Sequence, residues 1–146
     1  WMRMTSPTPK KKPSGFKLTA PPALKEHDLQ AQIMDYLKLQ QARGRVVWYC
    51  RVNSGAVKAG LRWVRFYLLY LLGKEYTTKG KGDIEGMLPG GRYFTFEVKK
   101  PGEKATSEQL AFLAAVRDGG GIAAVVRGYE DVPSLLFGEI NPCREP

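Results

Sequence analysis

The sequence predicts an α/β domain in which helices flank a mixed central sheet, and three observations carry that expectation. Apolar residues recur at helical spacing over 24–42 and again after Thr106, β-rich runs lie between and beyond them, and a strong turn, Pro89-Gly90-Gly91, joins two strands into a hairpin. A chain of 146 residues with 43% hydrophobic content suits one core. The reading is therefore a basic tail over 1–22, expected to be disordered, followed by a single domain over 23–146.

The elements follow in order. Leu29, Ile33, Met34 and Leu37 mark one face of an amphipathic helix from Leu24 to about Ala42, stopped near Gly44. Residues 46–52, Val-Val-Trp-Tyr-Cys-Arg-Val, read as a strand, and Asn53-Ser54-Gly55 as a loop. Over 61–72, Trp63, Phe66, Tyr67 and Tyr70 fit a helix or a long strand, with strand preferred. Lys79-Gly80-Lys81-Gly82 forms a flexible basic entry to the hairpin over 82–99. Thr106 and Gln109 have capping-box spacing, and Leu110, Leu113 and Val116 stripe the helix they open, which Gly119-Gly120-Gly121 ends. Residues 122–126 form a short buried strand, and Pro133 sits in the first turn of a last helix. The predicted order is α-β-(β)-β-β-α-β-α.

The hairpin carries the chemistry. Residues i and i+2 of a strand share a face, so Glu97 and Lys99 point one way and Phe96 and Val98 the other. With a three-residue turn Leu88 faces Arg92, and Asp83 falls directly opposite Glu97 on the same face. A two-residue turn would put Asp83 opposite Phe96, on the wrong side. Two carboxylates suit a hard divalent ion, Mg²⁺ or Mn²⁺, and Lys99 beside them suits orientation of an attacking water and neutralisation of phosphate charge. Lys100 points to the opposite face and is expected at most to assist binding.

These residues resemble the PD-(D/E)xK nucleases, and within them the VRR-NUC branch. The resemblance rests on Lys81-Gly82-Asp83-Ile84, the Leu88-to-Arg92 turn, Phe96-Glu97-Val98-Lys99-Lys100-Pro101, Thr106 with Gln109, and Glu26 with Gln30 upstream. It departs from the family at Gly82, where a Pro usually precedes the Asp, and in the apolar run 66–72. The resemblance implies the family's restriction-endonuclease-like core (α-β-β-β-α-β), Asp83, Glu97, Glu26 and the Val98 carbonyl as the metal set, and Gln109 beside the catalytic Lys99. For Glu26 the residue-level alternative is a carboxylate favoured by the helix dipole, and for Gln109 a capping partner of Thr106. It further implies a DNA endonuclease, with small members resembling homodimeric resolvases of four-way (Holliday) junctions. A flap nuclease, a nuclease of low structural specificity, and a basic nucleic-acid-binding module without catalysis remain the alternatives.

Charge supports a polyanionic partner. The net charge is +9, with six bases and no acid in residues 1–25 and fourteen bases against five acids over 38–104. Arg51, Asn53, Ser54, Lys58, Arg62, Arg65, Lys79, Lys81, Lys100 and Lys104 are the candidate phosphate contacts. The tail with Lys10-Lys11-Lys12 adds phosphate attraction, serves nuclear targeting in a eukaryote, or only solubilises. Cys50 and Cys143 have no metal-ligand spacing and point to a reducing, cytoplasmic setting. The longest apolar run, 66–72, is far below the roughly 20 residues a membrane span needs. Segment 63–72 reads equally as a dimer surface or as core.

Overall fold

A computed structural model describes residues 24–52, 55–65, 69–71, 74–76 and 80–139. The tail over 1–22, Asn53, Ser54, Lys79 and Cys143 lie outside them. Helix α1 (Glu26–Ala42) leads into β1 (Trp48–Arg51). Then come β2 (Ala56–Ala59), β3 (Arg62–Arg65), β4 (Leu69–Leu71), β5 (Lys74–Tyr76), β6 (Ile84–Met87) and β7 (Tyr93–Val98). Helix α2 (Ser107–Asp118), β8 (Ile122–Val126) and α3 (Val132–Phe137) are the last helices and strand among the described residues. The architecture is mixed α/β: one four-stranded sheet of order β1-β6-β7-β8, antiparallel except for the parallel β7–β8 pair, with helices on its two faces. No described helix is long and apolar enough to cross a membrane.

Helix α1 forms where Leu29, Ile33 and Leu37 repeat every four residues, and all three are buried. The Asp28 carboxylate accepts from the Lys25 N–H at its start, and Gly44, at φ +72, lets the chain leave its end. This helix and α3 cover one sheet face, where Ile84, Phe94, Phe96, Val98, Val126, Val132 and Leu136 join them in a single core. Helix α2 covers the other face over β7 and β8, burying Phe112 and Leu113. Strand β7 is therefore buried on both sides, which places Thr95 and Glu97 in the interior with 0% and 1% exposure.

The central hairpin has the register that a three-residue turn dictates. Ile84 pairs with Phe96 and Met87 with Tyr93, and the Leu88 N–H donates to the Arg92 carbonyl at 2.9 Å. Gly90 and Gly91 both take positive φ, a conformation that L side chains resist. Gly86 is required for another reason. It faces Phe94, and a Cβ there would lie 2.5 Å from the Trp48 carbonyl oxygen and overlap the Phe94 ring.

Two expectations change. The described parts of the 61–72 run, Arg62–Arg65 and Leu69–Leu71, form strand, but neither enters the main sheet. β3 folds back on β2 through Gly60-Leu61, with Gly60 at φ +62, and β4 pairs only with β5. Leu110 is 50% exposed, and Phe112 takes the buried place beside Leu113, because α2 presents a neighbouring stripe to the sheet.

Gly86→Ala should lower stability by about 1–3 kcal/mol, the usual cost of overpacking a tight site, since the Trp48 carbonyl cannot retreat without breaking the β1–β6 pair. Urea unfolding checks this, and an unchanged midpoint would show that the sheet yields there.

Candidate active site

Two strands and two helix starts converge at one end of the sheet. Asp83 immediately precedes β6, its N–H donating to the Phe96 carbonyl at 2.8 Å, and the continued register sets it opposite Glu97. The Asp83 carboxylate accepts the Val98 N–H at 2.9 Å, so β7's own backbone holds it in place. Gly82 makes this approach possible. A Cβ there would sit 2.5 Å from Thr95 Oγ1 and 2.9 Å from the Phe96 carbonyl oxygen, so neither Ala nor Pro fits.

Glu97 is the buried centre. Its Oε1 accepts from Lys99 Nζ at 2.7 Å and from the Gln109 amide, while Oε2 is buried with no hydrogen-bond partner among the described residues. Gln109 closes the capping box that its spacing predicts and also donates to Glu97. Its Oε1 accepts the Thr106 N–H at 2.8 Å and its own N–H donates to Thr106 Oγ1, which closes a capping box. The cap fixes the amide plane, and the Nε2 side then aims at Glu97. Secondary-structure formation thus orients a side chain of the site.

Burial pushes the Glu97 carboxyl up to about 7; the Lys99 ion pair opposes this, and the fields of Asp83 and Glu26 add to it. Burial likewise raises Asp83, against the Val98 N–H, Lys99 and Arg51, which favour its charged form. Burial of the Lys99 ammonium works to lower its pKa, but pairing with Glu97 and the fields of Glu26 and Asp83 outweigh this and raise it. Glu26, half-buried at the start of α1, acts on the centre through its field, and Gln30 Nε2 donates to its carboxylate at 3.4 Å. Buried Gln30 Oε1 lacks a partner among the described residues. His27 is exposed beside Asp28.

The donors suit a hard divalent ion. Among the described residues no three of His, Cys, Asp and Glu close around one point, so these residues form no complete cage. Mg²⁺ needs none, since it keeps several waters and takes one or two carboxylates. The orphaned Glu97 Oε2 and the carboxylate of Asp83, which the register sets opposite, are the pair that such an ion would take.

The basic residues sort into two groups. Arg51 is exposed at the end of β1 and acts on Asp83; Lys58, Arg62 and Lys104 are exposed, and Arg65 stands at the base of the β2–β3 hairpin. Lys81 instead pairs with Glu85 at 2.9 Å, and Lys100 with Glu103 at 3.0 Å. Lys100 borders a cavity of about 460 Å³ whose other cation, Arg127, donates to the carbonyls of Lys100 and Glu103. Sequence reasoning missed the cluster around Glu85, whose carboxylate also accepts from the Tyr93 hydroxyl at 2.6 Å and the Cys50 thiol. Burial, together with Glu85, raises the pKa of both Tyr93 and Cys50. The i+2 spacing from Asp83 was the available signal. No protein-family model, no curated protein and no solved structure matches the chain.

Glu97 binds its proton more tightly folded than unfolded, so it favours folding at low pH and loses that advantage as pH rises from about 4.5 to about 7. Glu97→Gln should therefore flatten the decline in thermal midpoint across that window; an equally steep decline would move the titration elsewhere. Gln109→Ala removes a donor to the charged carboxylate and should raise the Glu97 pKa further, read by carbon-13 carboxyl titration. A lowered or unchanged value would show that the amide does not support the anion.

Proposed function

We propose that the chain is a Mg²⁺- or Mn²⁺-dependent endonuclease that hydrolyses phosphodiester bonds of DNA. One observation carries this reading: Asp83, Glu97 and Lys99 meet on one side of an antiparallel pair, with a buried carboxylate oxygen lacking any partner among the described residues. A binding module gains nothing from such an arrangement. Burying a carboxylate is costly, and a basic surface works better without it.

When bound, the divalent ion supplies Lewis acidity at the phosphodiester. Asp83, Glu97 and the Val98 carbonyl would hold it, and Glu26 adds negative field from α1. Gln109 locks the Glu97 carboxylate, and Lys99, partly shielded at 16% side-chain exposure, offsets charge developing on the phosphate oxygens. Arg51, Lys58, Arg62 and Lys104 attract the phosphate backbone from the exposed surface.

The order α1, β1, β6, β7, α2, β8 resembles the PD-(D/E)xK core, and the motifs resemble its VRR-NUC branch. On that resemblance the preferred substrate is branched DNA, with four-way junctions cut in pairs by a homodimer whose two-fold axis matches the substrate. A reducing compartment, cytoplasmic or nuclear, agrees with the free thiol of Cys50.

Asp83→Ala and Glu97→Ala should each abolish metal-dependent cleavage while leaving DNA binding largely intact, measured on labelled junctions with and without Mg²⁺ or Mn²⁺. Wild-type rates in either variant sink the metal-site reading; equal rates on junction, flap and linear duplex remove the resolvase specificity alone. Lys99→Ala should cut the single-turnover rate sharply at saturating enzyme, whereas Lys100→Ala, already paired to Glu103, should leave that rate near wild type. Equal losses for the two would reassign the chemistry.

A further inference from the structure

The β2–β3 hairpin stands apart from the sheet. Neither of its strands packs extensively on another described element, yet it exposes large apolar groups: Trp63 is 69% exposed and Leu61, at the tip, 99%. An indole left in water gains nothing for the fold, because folding stability comes from burying such surface. Its neighbours set the chemistry of anything that could cover it. Trp63 pairs across the hairpin with Lys58, so ring and ammonium share a face, while Val57 and Val64 pair on the opposite one. Lys58 and Arg62 are exposed and form no ion pair among the described residues. From Arg51 to Gly73 the sequence holds four bases and no acid.

The hairpin also springs from the end of the sheet that bears the site. The Val52 N–H donates to the Asp83 carbonyl at 2.7 Å, and β2 begins four residues later. Six residues from Val52 to Lys58 span at most about 21 Å, so the Lys58–Trp63 pair lies within a few nucleotides of Asp83 along a DNA strand.

We propose that Trp63 stacks on an unpaired nucleobase of the substrate while Lys58 holds the adjoining phosphate. This deepens the nuclease reading and rests on it for the identity of the substrate. An aromatic platform beside a cation is the arrangement that grips single strands, since every base offers a π face and every nucleotide a phosphate. In continuous duplex the faces are already stacked, so the hairpin favours DNA with unpaired nucleotides near the cut, as a flap carries and as a four-way junction offers where pairs at its branch point open. A second copy fits this surface poorly: an isologous contact would bring Lys58 and Arg62 from both chains together with no acid on the hairpin to answer them.

The test measures binding to oligo(dT) and to a duplex of equal length, without divalent cation, for the wild type, Trp63→Ala and Trp63→Phe. Trp63 is exposed, so the variants should fold, which circular dichroism checks. Trp63→Ala should weaken oligo(dT) binding by about tenfold or more, Trp63→Phe should retain most of the affinity, and duplex binding should change little. A 2-aminopurine in the oligonucleotide should be quenched by the wild type and not by Trp63→Ala, and Lys58→Ala should flatten the salt dependence by about one phosphate contact. Unchanged oligo(dT) affinity in Trp63→Ala overturns the proposal, as does equal loss on both DNAs. Conversion of a dimer to monomers with single-strand binding intact also overturns it and assigns the face to self-association. Because no metal is present, a protein that stacks bases but never cleaves leaves this inference standing and removes the nuclease reading. An active nuclease whose Trp63→Ala variant binds unchanged does the reverse.

Discussion

The site depends on the register between β6 and β7. Strand side chains alternate, so a slip of one residue would turn Asp83 toward α1 and leave Glu97 without its counterpart. Three features hold the register: Pro89-Gly90-Gly91 sets the turn length, Gly86 admits the Phe94 ring, and Gly82 brings the Asp83 backbone against Phe96. Each is a place where a side chain is missing or conformationally unusual. The final lock is chemical, since the Val98 N–H donates to the carboxylate of Asp83 itself.

Around that register the electrostatics oppose the fold. Glu97 lies between two layers, at 1% exposure, with one oxygen satisfied twice and the other by none of the described residues. A single lysine does not offset burial plus two neighbouring carboxylates, and the raised pKa of Glu97 expresses the shortfall. Strain of this kind persists where surrounding structure enforces it and where a ligand relieves it. The divalent cation proposed above would answer this deficit by its charge and its preference for oxygen.

Helix α2 links folding to that chemistry. Capping boxes usually concern only helix ends, yet here the capping glutamine has a second use for its amide. Rotating Gln109 would sacrifice the cap and the Glu97 contact together, so its orientation is doubly determined. The basic residues divide just as physically: those near acids, such as Lys81 and Lys100, are neutralised locally, while Arg51, Lys58 and Arg62 stay exposed in a stretch without acids.

Much of this was legible in local sequence because local rules decide it. Turn residues set loop length, loop length sets register, and alternation then assigns Asp83, Glu97 and Lys99 to one side. Helix starts at Thr106 and stops at Gly44 and Gly119 follow from capping chemistry in the same way. Tertiary structure decided what alternation cannot express. It buried Glu97 under α2, turned Phe112 rather than Leu110 inward, brought the field of Glu26 across from another helix, and kept 62–65 out of the sheet. Burial and long-range fields depend on which layers meet, and only the packed chain specifies that.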